Sequence, residues 1–126
     1  MWLGLRAHVD QLAEERQQYV DFFEQSPEAY VVTDLDGTIR ELNGAATDIL
    51  QKRRGYLRGK PLTVMVALDH RREFRRRMLG LAERQSDQRS WRSVVIAAGE
   101  RIEVTFTARP IERRDGGLCW LLQAVQ

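Results

Sequence analysis

The stretch Val31-Val32-Thr33-Asp34-Leu35-Asp36-Gly37-Thr38-Ile39 decides the fold. Two β-rich runs, residues 29–34 and 38–42, meet at Asp34-Leu35-Asp36-Gly37, where Gly37 supplies the positive φ that a tight hairpin turn requires. The corner therefore predicts two neighbouring antiparallel strands. Just downstream, Asn43 is placed to cap a short helix over residues 45–50, because its side-chain oxygen can accept a backbone N–H left unpaired in the first turn. Residues 52–60 form a basic connector and residues 61–68 are apolar. Asp69 is then expected to cap a helix reaching residue 84, with Phe74, Met78, Leu79, Leu81 and Ala82 on its inner stripe. A polar loop over residues 85–90 precedes three further strands, at residues 91–98, 101–109 and 118–125, separated by turns at Gly99-Glu100 and Arg114-Asp115-Gly116-Gly117. In the second of these strands Ile102, Val104, Phe106 and Ala108 alternate with Arg101, Glu103, Thr105 and Thr107, as a sheet covered on one face requires.

Upstream of the corner, the larger side chains Trp2, Leu5, Val9, Leu12, Tyr19 and Phe23 recur in alternating steps of three and four, the seam of a coiled coil broken only by Arg16. With no Gly or Pro between Leu5 and Gln25, the segment predicts a long amphipathic helix that Ser26-Pro27 stops. Such a stripe serves either self-association or packing on its own domain. The order is helix, two strands, helices, three strands. That segregation gives an α+β class: a five-stranded antiparallel sheet with short helices on one face, preceded by the N-terminal helix. The expected division is residues 1–22 for the helix and 23–126 for the domain.

A chain of 126 residues, 43% apolar and 30% charged, has room for one domain and one appended element. Its apolar runs fall far short of the roughly 20 residues of a membrane-spanning helix. The start, Met1-Trp2-Leu3-Gly4-Leu5, has no basic leader, so a cytoplasmic location is the expectation. The single Cys119 excludes an intrachain disulfide, and with His8 and His70 it makes no zinc spacing; no metal ligand is expected.

The net charge of +2 hides an asymmetry. Residues 1–51 hold three basic and ten acidic groups, residues 52–84 eleven and three, and residues 85–126 six and five. The basic middle could bind nucleic acid through released counterions, or it could face the acidic half or solvent. Nucleic acid is the less favoured partner, since charge runs such as Arg71, Arg72, Arg75, Arg76 and Arg77 usually form a solvated helix face, here with Glu73 and Arg77 at pairing distance.

The residues 31–39 also resemble the first motif of haloacid-dehalogenase-type phosphatases, in which the Asp after a hydrophobic strand attacks phosphorus and the Asp two residues on acts as the acid. On that alternative Asp34-Leu35-Asp36-Gly37-Thr38 would be catalytic. The chemistry also needs a distal acidic pair to hold a metal ion. Here Asp69, Asp87 and Asp115 are solitary and the strand pattern offers no parallel sheet. Gly55-Tyr56-Leu57-Arg58-Gly59-Lys60-Pro61 is one residue short of a phosphate loop and has Pro61 where a metal-binding hydroxyl belongs, so Gly59 reads as a turn residue. No catalytic residue is expected.

Taken in order, several segments resemble a PAS sensory domain: Phe22-Phe23-Glu24-Gln25-Ser26-Pro27-Glu28-Ala29 at its start, Thr33-Asp34-Leu35-Asp36-Gly37-Thr38-Ile39 as its first hairpin, Asn43-Gly44-Ala45-Ala46 with Leu50 as its Asn-led helix, then Gly59-Lys60-Pro61-Leu62, and Gly117-Leu118-Cys119-Trp120-Leu121-Leu122 as its last strand. The resemblance covers residues 22–126. It implies a curled five-stranded sheet and small helices around a cup, in a non-enzymatic sensor that binds a small ligand or a second copy and passes the change to an attached output domain. On that reading Phe74, Met78, Val94, Ile96, Val104 and Phe106 line a pocket or fill a core, with Asn43, Trp91 and Trp120 as further ligand contacts, while Trp2, Leu5, Val9, Leu12, Tyr19 and Phe23 form a homodimer seam. The cofactor is left unknown. Residues 55–66 lack the reactive cysteine of the family's adduct-forming flavin sensors, and the long helix carries Phe74, Arg75 and Arg76 where haem-binding members have a His, so both are disfavoured. Non-covalent flavin or a small metabolite stays open.

Overall fold

In the computed structural model the Asp34–Gly37 corner turns the chain back on itself, as the sequence predicts. Gly37 sits at φ +87°, and the Asp34 carboxylate accepts the amides of Asp36 and Thr38, both at 2.9 Å. The corner joins β1 (Ala29–Thr33) to β2 (Ile39–Leu42) in antiparallel register, Val31 opposite Leu42. The structure describes residues 2–83, 89–111 and 116–125, with side chains from residue 13 onward. Residues 85–88 of the predicted loop and 114–115 of the predicted turn lie outside them.

The order is α1 (Trp2–Gln25), β1, β2, α2 (Gly44–Leu50), α3 (Arg54–Leu57), two 3-10 turns (Leu62–Met65 and Leu68–His70), α4 (Arg71–Ala82), β3 (Ser90–Ala97), β4 (Glu100–Pro110) and β5 (Leu118–Ala124). The five strands form one sheet in the order β2-β1-β5-β4-β3, and every neighbouring pair is antiparallel. The proposed boundary at residue 22 falls inside α1, which continues to Gln25 and stops, as expected, at Ser26-Pro27.

Alternation along each strand sends one set of side chains to the helices. Val31 of β1, Trp120 of β5 and Ala108 of β4 stand in one row across the sheet, and Trp91 of β3 lies opposite Phe106 of β4; all are buried. From the helical side Ala46, Leu50, Leu57, Leu62, Phe74, Met78 and Leu81 close onto them in a single core. Leu79, assigned to the inner stripe of α4, is half exposed instead.

Two further placements differ from expectation. Val94 and Ile96 were grouped with Val104 and Phe106, yet β3 pairs with β4 so that Val95 opposes Ile102 while Val94 opposes Glu103 and Ile96 opposes Arg101. Directly opposed residues share a face, so Val95 joins the core and Val94 and Ile96 point to the other side of the sheet. Asp69 does not cap α4. The N-cap is His70, without a side-chain bond, and Asp69 takes a two-bond ion pair with Arg101 at 3.2 and 3.1 Å. The planar guanidinium offers the carboxylate two charge-assisted bonds where the helix end offers one amide.

The corner itself yields a stability test. A Cβ on Gly37 would stand 2.6 Å from the buried Met78 Sδ, in a backbone region that L side chains rarely adopt. Gly37→Ala is expected to cost about 1–2 kcal/mol for the backbone alone, and more if Met78 cannot shift, read from the urea midpoint of unfolding.

Candidate functional site

Between the sheet and α4 the cup is occupied by four aromatic rings drawn from four elements. Phe74 of α4 stacks on Trp120 of β5 at 5.3 Å between centroids and meets Phe106 of β4 edge-on at 4.9 Å; Trp91 of β3 stands edge-on to both Phe74 and Trp120 at 5.7 Å. These separations are those of favourable stacked and T-shaped pairs. The Trp120 indole donates to Thr33 Oγ1 at 3.0 Å, so its polar edge is satisfied inside the core. Trp91 differs: its indole N–H is buried with no acceptor among the described residues, while the Arg77 guanidinium lies 5.8 Å from its ring. Of the residues assigned to a lining, the structure brings Phe74, Met78, Trp91, Val104, Phe106 and Trp120 into this core and leaves Val94, buried on the other face, and the part-exposed Ile96 outside it.

Asn43, proposed as a ligand contact, is fully buried with its whole bonding capacity turned on the chain itself. Its Oδ1 accepts from Tyr30 N at 3.0 Å and from Ala46 N at 3.1 Å, the second being the predicted cap of α2. Its Nδ2 donates to Glu28 O at 2.8 Å and to Phe23 O, in the last turn of α1, at 3.0 Å. One amide thus ties α1, β1 and α2 together. An ion pair between Glu24 of α1 and Arg54 of α3 reinforces the joint, and Phe23 stacks on Tyr30 at 6.3 Å. Phe23 therefore packs on its own domain. Tyr19, one helical turn earlier, is 71% exposed, and Phe22, off the proposed seam, is exposed too. The side chains of Trp2, Leu5, Val9 and Leu12 lie outside the described ones.

The phosphatase alternative loses its context: the Asp34 carboxylate is engaged by turn amides and the strands on either side run antiparallel. Among the described residues no group of three or more His, Cys, Asp or Glu could hold a metal ion. Burial pushes the Cys119 thiol up, keeping it protonated at neutral pH. The basic middle is partly neutralised within the chain, Arg54 by Glu24 and Arg58 by Glu41 at 2.8 Å. On α4 the Glu73 carboxylate receives Arg76 and Arg77, which hold its pKa down to about 2. A lowered carboxylate pKa means that this pairing is intact at neutral pH and fades as pH falls below the ordinary 4.5 through about 2. A carboxyl NMR titration is expected to show that midpoint, and Arg76→Gln to raise it toward the ordinary value.

A family model described as the PAS fold matches residues 17–125. The chain belongs to the PAS family. This PAS domain is a sensor-type module of signalling proteins, as the order of its segments implied. Its fold is similar to the PAS domain of an HTR-like protein from Haloarcula marismortui, with a TM-score of 0.81 at 17% identity over 95% of this chain and 99% of that one. It is similar also to a PAS domain from a two-component sensor histidine kinase (TM-score 0.71, 14% identity, 92% and 99% covered). A third likeness is to the Cronobacter turicensis RpfR quorum-sensing receptor PAS domain in complex with C12:0 (TM-score 0.68, 12% identity, 81% and 97% covered). No curated protein matches the sequence. Among the described residues, no helix is long and apolar enough to cross a membrane.

Proposed function

We propose that this PAS domain is a signal-relay and dimerisation module of a cytoplasmic regulatory protein, in which α1 pairs with α1 of a second copy and passes a change in the sheet or cup to an attached output domain. The observation that carries it is the Asn43 joint: the side chain that bonds the last turn of α1 also holds the backbone of β1 and caps α2, so a change in the sheet reaches the helix through bonds rather than through loose packing. The helical stripe of Trp2, Leu5, Val9, Leu12 and Tyr19 supplies the pairing surface. Sedimentation of the full chain is expected to give a dimer, and the double variant Leu5→Glu/Leu12→Glu a monomer with unchanged circular dichroism. A monomer in both, or a dimer in both, overturns the pairing.

One observation favours a second reading, ligand occupancy of the cup. Among the described residues the buried Trp91 indole N–H has no acceptor, which costs about 1–3 kcal/mol unless a bound group or water meets it. A non-covalent flavin or small metabolite carrying such an acceptor would fit this reading. An absorption spectrum and native mass spectrum of freshly purified protein test it, a mass equal to the bare chain counting against it.

A further inference from the structure

The 3-10 turns, α3 and the edge strand β3 surround a cleft of about 590 Å³. Its floor is Met65 and Ala67, both buried, and its walls carry apolar side chains left in water: Tyr56 at 48% exposure, Val64 at 43%, Leu68 at 79% and Ile96 at 38%. Single exposed apolar residues need no explanation, but four around one concavity do. The rim is mostly cationic: Lys52, Arg71 and Arg101 line it against one carboxylate, Asp69, and Lys60 stands beside it over the Tyr56 ring. Lys52 and Lys60 flank the Tyr56 ring at 5.3 and 4.3 Å from its centroid, and Arg71 donates to the carbonyls of Val66 and Val64, at 2.9 and 3.1 Å. Among the described residues none of these three cations has a carboxylate partner, whereas Arg101 is paired with Asp69.

We infer that this cleft is a docking site for an acidic amphipathic segment of a partner protein, which seats an aliphatic or aromatic anchor between Tyr56, Leu68 and Ile96 and sets carboxylates against Lys52, Lys60 and Arg71. Charge complementarity chooses the partner's sign, because three cations without internal carboxylates gain most from an acidic ligand. Shape chooses its class. A surface built to enter a bilayer projects its apolar groups, while a concave apolar floor receives a side chain from outside. The lining of the cleft includes neither Asn43 nor any of the four rings of the cup.

The test uses the full chain and a fluorescent synthetic amphipathic helix of about four turns, with a Leu stripe flanked by Glu, beside a counterpart with Lys for every Glu. Fluorescence anisotropy is expected to show binding of the acidic peptide only, weakened about tenfold or more by Lys52→Glu and likewise by Leu68→Ser, two exposed positions whose variants should melt as the parent does. Replacing the peptide's central Leu with Ala is expected to weaken it comparably. Absence of binding, equal binding of both peptides, or indifference to both variants overturns the inference. So does Leu68-dependent sedimentation with vesicles of phosphatidylcholine and phosphatidylserine, which would make the patch a lipid contact. A dimer constant altered by Leu68→Ser would assign the patch to a second copy and overturns it too.

Discussion

Trp120→Ala is expected to lower the stability of the chain by about 3–5 kcal/mol, measured by urea unfolding monitored in the far ultraviolet. Trp120 is fully buried and touches Phe74, Trp91 and Phe106, so truncation empties the middle of the cup where three rings converge. The surrounding strands are held by their ladders and cannot collapse into the gap, which adds a cavity cost to the lost transfer free energy. Trp120→Phe separates packing from hydrogen bonding. It keeps a ring against Phe74 but removes the donor to Thr33 Oγ1, whose hydroxyl still donates to Asp34 O at 2.9 Å. A smaller loss, about 1–3 kcal/mol, is expected. Should Trp120→Ala cost under about 1 kcal/mol, the cup would be a tolerant space rather than a packed one, and the ligand reading would gain.

The second large effect is at Asn43. Asn43→Ala strands four backbone groups, two amides and two carbonyls, and is expected to cost about 2–4 kcal/mol, the loss of the α2 cap accounting for about 1. Asn43→Asp divides the joint in two. The carboxylate still accepts from Tyr30 and Ala46 but faces the carbonyls of Phe23 and Glu28 with no proton to offer. Hydrogen exchange should therefore find the Tyr30 and Ala46 amides protected in Asn43→Asp and open in Asn43→Ala, while the last turn of α1 loosens in both. Equal protection of that turn in parent and variants would show that Asn43 does not hold it, and the relay proposed through the joint would fall.

Features set by neighbours in sequence were legible in advance. The Gly37 corner, the Asn43 cap, the Ser26-Pro27 stop and the Gly59 turn, at φ +83°, each depend on a few adjacent residues and came out as read. Features settled by distant partners were not. Val94-Val95-Ile96 is an unbroken apolar run that shows no alternation, and only its pairing with residues 101–103 decides which side chain goes inward. Asp69 looked like a cap until Arg101, 32 residues on, competed for it. Asn43 showed its acceptor role in its own helix but not its donors' destinations, 15 and 20 residues back. The rings of the cup were named from the sequence, yet whether they enclose space or fill it depends on how four elements converge. The cleft around Tyr56 and Leu68 gave no periodic signal, because its walls come from a one-turn helix, two 3-10 turns and a strand edge.

The length of α1 gives its fastening a mechanical meaning. At 24 residues the helix is about 36 Å long, and Phe23 and Glu24 in its final turn are bonded to the rest of the domain. On the proposed relay it is a lever with its fulcrum at Phe23 and Glu24. A tilt of about 10° there would sweep the far tip by about 6 Å, a displacement as large as a full helical turn.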